Sequence, residues 1–247
     1  MSPEDLDVHE RMSALRSVVG SGPVWVGLSA AYLLGADTQA RGLPLEMANA
    51  TSGRFRDRDG VRMRRLMLAD ADLVETPVGR SLTAVRTALD LAVRGRRPLD
   101  IARVDQVLRV GRVDVAGLSA FAEEFGGMRG IRNARAVLPE LDPRAESIPE
   151  SVLRVGLVRL GLPPPTPQLL VRGPDGRVVA RLDLGWEHQQ VGIEYDGQYH
   201  DGDPRQRSRD RGRHNTLRAI GWTVYQVDAT LARNPRAVYS LVRPHLL

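Results

Sequence analysis

The sequence predicts an α/β protein of the α+β kind in two parts. Residues 1–141 read as a mainly helical N-terminal domain with a small β hairpin, and residues 142–247 as a mixed-sheet domain with helices packed on it. Three observations predict this. Apolar residues recur at helical spacing through four successive segments between Ser81 and Leu138. The pattern breaks at Leu141-Asp142-Pro143-Arg144. Beyond the break the periodic segments run helix, three strands, helix, strand, helix, the order of a sheet covered by helices.

In the first part, the opening twenty residues read as a short helix or a loose arm. A helix is expected over Val24–Leu34, closed by Gly35. The stretch 49–61 is polar and basic around a turn at Asp59-Gly60, with short strands flanking it, one of them Val61–Leu66. Helical spacing then covers Ser81–Val93, Leu99–Val110, Val115–Phe125 and Ile131–Leu138, punctuated by Gly111 and Gly126-Gly127. In the second part, a helix over Ile148–Leu160 precedes the loop Pro163-Pro164-Pro165. Three strands follow, Leu169–Arg172, Val178–Leu184 and Gln190–Tyr195, the first two joined by a turn at Pro174-Asp175-Gly176. A polar helix over Pro204–Ile220, a strand over Thr223–Val227 and a helix over Arg236–Leu246 complete the domain.

Composition narrows the function classes. Apolar residues make up 42% and charged residues 26% of the 247, the balance of a soluble globular protein. No apolar run approaches the ~20 residues of a membrane span. The opening MSPEDLDVHER is acidic and polar, unlike a signal peptide. Cysteine is absent, so disulfides, thiolate metal sites and cysteine nucleophiles are excluded. Together these features predict a cytoplasmic location. All 35 basic Lys+Arg positions are arginine, so no step can use a lysine as base, phosphate ligand or transition-state cation. The net charge of +5 and an isoelectric point near 10.3 suit a polyanion partner.

Carboxylates carry the clearest chemical signal. Asp183 lies inside the apolar run Val178–Leu184, and Glu194 ends the run that starts at Val191. Ten residues separate them, about what a hairpin return needs to set two carboxylates side by side. Like charges that close repel, and burial penalises each. A hard divalent cation, Mg²⁺ or Mn²⁺, relieves both problems and can act on a phosphodiester. Glu150 shares a helical stripe with Leu153, Leu157 and Leu160, so it is expected to point inward. It also completes a capping box with Ser147, and a capping role and a metal-site role can coexist. His200, shortly after Gly197, is a candidate to orient or deprotonate water. Asp210 shares an inward stripe with Gln206, His214 and Leu217, either as an arginine's partner or as an outer ligand. Arginines cluster at Arg54, Arg56, Arg58, Arg62, Arg64 and Arg65, and again at Arg205, Arg207, Arg209, Arg211 and Arg213. Either cluster could contact phosphates or form a solvated face. Trp186 and Trp222 read as core.

Several ordered motifs resemble a known domain. These are Arg181-Leu182-Asp183-Leu184-Gly185-Trp186, then Val191-Gly192-Ile193-Glu194-Tyr195-Asp196-Gly197 with His200, then Arg209-Asp210-Arg211 through Asn215 and Leu217 to Gly221-Trp222-Thr223-Val224. They look like the DUF559 domain, which is similar to the very-short-patch repair endonucleases of the PD-(D/E)XK superfamily. The stretch from Asp142 to Ser147, with Glu150, matches the start of that domain. The resemblance implies a restriction-endonuclease-like fold and a divalent ion held by Asp183, Glu194 and the backbone carbonyl of Tyr195. Glu150 would be the first-helix glutamate. Asp196 falls where the superfamily's lysine sits, and in the mismatch endonucleases a histidine-rich site serves without it, with His200 the matching candidate. More faintly, Thr76-Pro77 with Thr83–Ala92, and Gly127-Met128-Arg129-Gly130, resemble the region related to AbiEi-type antitoxins that precedes DUF559 in actinobacterial proteins.

Three readings follow from these residues. The first is a Mg²⁺- or Mn²⁺-dependent endonuclease acting on DNA, in repair or defence. The second is a non-catalytic nucleic-acid-binding regulator of antitoxin type that keeps the nuclease fold. The third is a protein-interaction module.

Overall fold

The computed structural model describes residues 7–20, 22–38, 42–49, 57, 60–196 and 204–247, with side chains of the last stretch from 212 onward. The chain divides into two compact units, Met1–Pro143 and Arg144–Leu247, against the expected 141/142 boundary. Both are mixed α and β, each with its own sheet.

In the first unit, α1 (Val8–Val19) begins at a reciprocal cap in which Asp7 and Glu10 bind each other's backbone amides. The sheet is built from β1 (Val24–Trp25), β2 (Leu45–Asn49), β3 (Val61–Arg65), β4 (Leu73–Val74) and β5 (Ser81–Leu82), in the order β3-β2-β1-β5-β4. The helices are α2 (Gly27–Leu33), α3 (Ala84–Ala92), α4 (Pro98–Gly111), α5 (Val115–Glu123) and α6 (Ile131–Val137).

One expectation needs correction and another is met in part. The strand expected after the turn forms as β3 and pairs in parallel with β2, in register from Leu45↔Val61 to Asn49↔Arg65, while the strand expected before the turn lies outside the described residues. Parallel neighbours need a crossover rather than a tight turn. Asp59, half of the expected turn, lies outside the described residues. The helix expected from Val24 starts instead at Gly27. Trp25 donates its amide to Arg80 (2.9 Å) and Val26 to Glu46 (3.1 Å), so sheet pairing captures this β-branched and aromatic segment.

The second unit comprises α7 (Ile148–Arg159), β6 (Thr166–Arg172), β7 (Val178–Trp186), β8 (Val191–Asp196), α8 (Pro204–Ala219), β9 (Thr223–Asp228), α9 (Ala229–Ala232) and α10 (Pro235–Val242). Its sheet has the order β6-β7-β8-β9. The first two pairings are antiparallel, and β8 and β9 are parallel with α8 as the crossover. One apolar cluster joins Leu153 and Leu157 of α7 and Val238 and Val242 of α10 to Leu184, Trp186, Val191 and Ile193. A second joins Leu169, Val171, Ala180 and Leu182 to Leu217 and Trp222. Trp186 and Trp222 are thus core, as expected.

These clusters expose an irregularity. Leu182 and Leu184 are two residues apart on one strand, which in a regular strand puts both on the same face. They lie in different clusters, on the α8 side and the α7 side respectively. Gly192 lies on the Leu182 side, where an added Cβ would strike the Leu182 side chain. The pleat therefore switches sides at Asp183. The β6–β7 register places Gln168 directly opposite it, with a left-handed φ of 54°.

Candidate functional site

That switch point is where polar groups converge. Gln168 Nε2 donates to Glu150 Oε2 (2.9 Å) and lies 3.4 Å from Asp183 Oδ1. Asp183 Oδ2 accepts the Tyr195 amide at 2.6 Å. The paired ladder between β7 and β8 stops one residue earlier, at Leu184↔Ile193, so the Asp183 side chain takes the amide that continued pairing would engage. Burial pushes the Asp183 carboxyl above its ordinary range, and the Tyr195 amide offsets part of this. A left-handed backbone at a non-glycine residue costs on the order of 1–3 kcal/mol and persists only where the surroundings impose it. Here the imposition is a single carboxamide that bridges two carboxylates.

Glu150 is buried at the start of α7 and is fully engaged there. Oε1 accepts from Ser147 Oγ (2.7 Å), and Oε2 accepts the Glu146 amide (2.9 Å) as well as Gln168. Glu150 points inward as its stripe predicts, and Ser147 caps α7 by accepting the Glu150 amide (3.4 Å), but the Glu150 carboxylate takes the Glu146 amide rather than the Ser147 amide of a full capping box. Burial raises the Glu150 carboxyl above its usual value, Ser147 and the Glu146 amide lower it, and the charge of Asp183 adds to the rise.

Glu194 has a different environment. It is buried on β8, and Oε2 is approached by His214 Nε2 (3.1 Å) and Arg213 Nη2 (3.3 Å) of α8. Its Oε1 is buried and has no hydrogen-bond partner among the described residues. The expected inward stripe of α8 is correct in two positions, since His214 meets Glu194 and Leu217 is buried. Asp183 and Glu194 therefore sit on adjacent strands with separate partners, one set on β6 and β8 and the other on α8. Among the described residues no group of three or more His, Cys, Asp or Glu stands together as a metal site.

Of the other candidates, Asp196 is exposed at the end of β8, in register with Asp228. Tyr195 enters the cluster through its amide. His200 lies outside the described residues, as do Arg54, Arg56 and Arg58. So do the side chains of Arg205, Arg207, Arg209, Asp210 and Arg211.

The first arginine cluster is in part absorbed into an ion network. Arg64 binds Asp90 at 2.6 Å, and Arg94 bridges Asp90 and Glu46, each at 2.8 Å. Arg62 stands 3.9 Å from Glu46. Glu46 Oε2 also accepts the Leu28 amide at 3.0 Å, which ties the start of α2 to β2. Burial alone would raise the Asp90 carboxyl, but Arg94 and Arg64 more than reverse this and hold it below its ordinary value. Gly27, at φ 56°, is required there, because a Cβ would run into the Glu46 carboxylate and the Arg94 guanidinium.

Sequence reasoning missed two groups. Gln168 lies in a strand of ordinary composition, and only its pairing with Asp183 reveals it. Arg94 and Glu46 lie 48 residues apart in the chain, a pairing that no local pattern signals.

Comparison with known proteins places the molecule. Residues 24–140 match the family model described as the AbiEi antitoxin C-terminal domain. Over its whole length the chain is similar to "Uncharacterized protein MT2308" of Mycobacterium tuberculosis (strain CDC 1551 / Oshkosh) and "Uncharacterized protein Rv2248" of Mycobacterium tuberculosis (strain ATCC 25618 / H37Rv). Each is 31% identical over 254 residues, covering 98% of this chain and 88% of the relative. The chain belongs to the family of these mycobacterial proteins, and its residues 24–140 are similar to the AbiEi antitoxin C-terminal domain. No solved structure matches the chain. Among the described residues no helix is long and apolar enough to cross a membrane.

Proposed function

We propose that the protein is a nucleic-acid-binding regulator of antitoxin type. The observation that carries this reading is the match of residues 24–140 to the AbiEi antitoxin C-terminal domain. The charge distribution supports DNA as the partner. Arg144–Leu247 carries 15 arginines against 11 acidic residues, whereas Met1–Pro143 carries 20 against 19, so the excess belongs to the second unit. Six of those 15 arginines fall on α8. Phosphate contacts of this kind supply most of the sequence-independent affinity for DNA. The test is a gel-shift titration with duplex DNA at rising salt. Binding that weakens steeply supports the reading, and no binding at low salt removes it.

A second reading keeps phosphodiester hydrolysis. The observation that favours it is the convergence of Glu150, Gln168 and Asp183 at the pleat switch, with both carboxyls raised by burial, a pattern common at functional sites. The likeness of the second unit to the DUF559 domain and to PD-(D/E)XK nucleases belongs to this reading, as do Mg²⁺ or Mn²⁺ and His200. The oxygen donors of Asp183 and Glu194 suit such an ion, Glu194 through its Oε1, which has no hydrogen-bond partner among the described residues, whereas both oxygens of Glu150 are engaged. Incubation with DNA and Mn²⁺ tests it. Cleavage that Asp183→Ala abolishes supports hydrolysis, and intact DNA leaves regulation alone.

A further inference from the structure

The geometry points to a nucleotide pocket in the C-terminal unit, one that takes a single unstacked nucleotide of a single-stranded nucleic acid. The inference rests on the nucleic-acid reading above. A cavity of about 520 Å³ lies between α8 and β9. That is within the roughly 300–1,000 Å³ of small-ligand sites, room for a base and its sugar. Leu217, Trp222 and Val224 line it with apolar surface. The first two are buried in the α8-side cluster and Val224 packs against it. His214, Arg218, Thr223 and Gln226 add polar groups.

Each part of a nucleotide finds a matching group. The apolar lining suits the face of a base. The Gln226 carboxamide offers both a donor and an acceptor, and the Thr223 hydroxyl does the same, which suits a base edge. Arg218 is exposed, and among the described residues it makes no ion pair, so its guanidinium is available to a phosphate. Val224 and Gln226 are in register with Gly192 and Glu194, and Gly192 contributes no side chain to that face. The Glu194 carboxylate on the same face is buried and its Oε2 is engaged by Arg213 and His214, which offsets its repulsion of an incoming phosphate.

The setting favours a single strand. β9 is the outer strand of its sheet, so the cavity lies at the sheet's edge beside the arginine-rich helix. A paired base has its edge occupied and both faces stacked. Only a base out of the stack can enter a cavity between a helix and a strand.

The test uses the full chain and fluorescence anisotropy. The probes are a labelled short oligothymidylate, a labelled duplex of the same length, and unlabelled thymidine monophosphate as competitor. Gln226→Ala, at an exposed position, and Val224→Phe, which fills the cavity, are each expected to weaken single-strand binding roughly tenfold. Duplex affinity should change less than about twofold. Arg218→Ala should weaken single-strand binding and lower its salt slope by about one. Thymidine monophosphate should compete only weakly, because it offers one base and one phosphate. Unchanged single-strand affinity in both Gln226→Ala and Val224→Phe, or equal losses on duplex, overturns the pocket and leaves nucleic-acid binding standing. Tight competition by the mononucleotide that Val224→Phe abolishes transfers the cavity to free nucleotides and overturns the single-strand assignment. Absence of binding to every probe at low salt overturns both readings.

Discussion

Gln168 and Arg94 perform related tasks in the two units, each joining carboxylates from different elements, and they differ in sign and consequence. Arg94 is a cation between two buried anions, Glu46 and Asp90. Arg94→Ala would leave both carboxylates buried without their shared cation, at a cost of about 3–5 kcal/mol. Chemical denaturation of the first unit should show this loss. Because the Asp90 carboxyl is held below its ordinary value, its contribution is present above the unfolded-state pKa and is lost as pH falls through the folded one. Gln168 is neutral, and Glu150 beside it is raised by burial, so the sign is opposite. A carboxylate raised on folding costs stability above its folded pKa, and the cost is relieved as pH falls through that value toward the unfolded one. Glu150→Gln, which keeps the Glu146 and Gln168 contacts, should therefore stabilise the protein at neutral pH by roughly 1 kcal/mol. The gain should shrink on acidification. Melting curves at neutral and mildly acidic pH check it, and a variant less stable at neutral pH would contradict the assignment.

At the scale of elements, the sheet of the second unit depends on close approach at two glycines, Gly185 against Leu169 and Gly192 against Leu182. Gly192→Val would drive a side chain into Leu182, an overpacking that typically costs about 1–3 kcal/mol. A denaturation midpoint equal to wild type would show that the strands are spaced otherwise. This unit was largely legible in the sequence. Its strands are short runs bounded by strong breakers at 163–165 and 174–176, and all four appear with ends shifted by a few residues. Asp183, Glu194 and Glu150 were legible because charges interrupt apolar patterns. The separate partners of Asp183 and Glu194 were not, since they arise from the pleat switch opposite Gln168, and a switch of face leaves no periodic trace. The first unit was less legible. Its helices follow their apolar spacing, but β1, β4 and β5 are two residues each, too short for alternation to show. β3 was legible, but its parallel pairing with β2 across a long connection was not.

At the scale of the whole molecule, the two units divide the argument. The first carries the antitoxin-type match and is close to balanced in charge, with part of its arginine cluster neutralised internally by Glu46 and Asp90. The second carries the arginine excess and α8. The account therefore expects removal of charge from α8, for example by Arg205→Ala with Arg209→Ala, to weaken DNA binding and lower its salt dependence. The same change at Arg64 should lower stability instead, because it breaks the Asp90 pair. The central claim, that this is a nucleic-acid-binding protein, is tested most directly by the affinity of the full chain for duplex DNA measured across a salt series. The account predicts binding at low salt whose logarithm falls linearly and steeply with the logarithm of salt concentration, by about 0.9 per phosphate neutralised. Affinity that is flat across the series, or absent at the lowest salt, would contradict it.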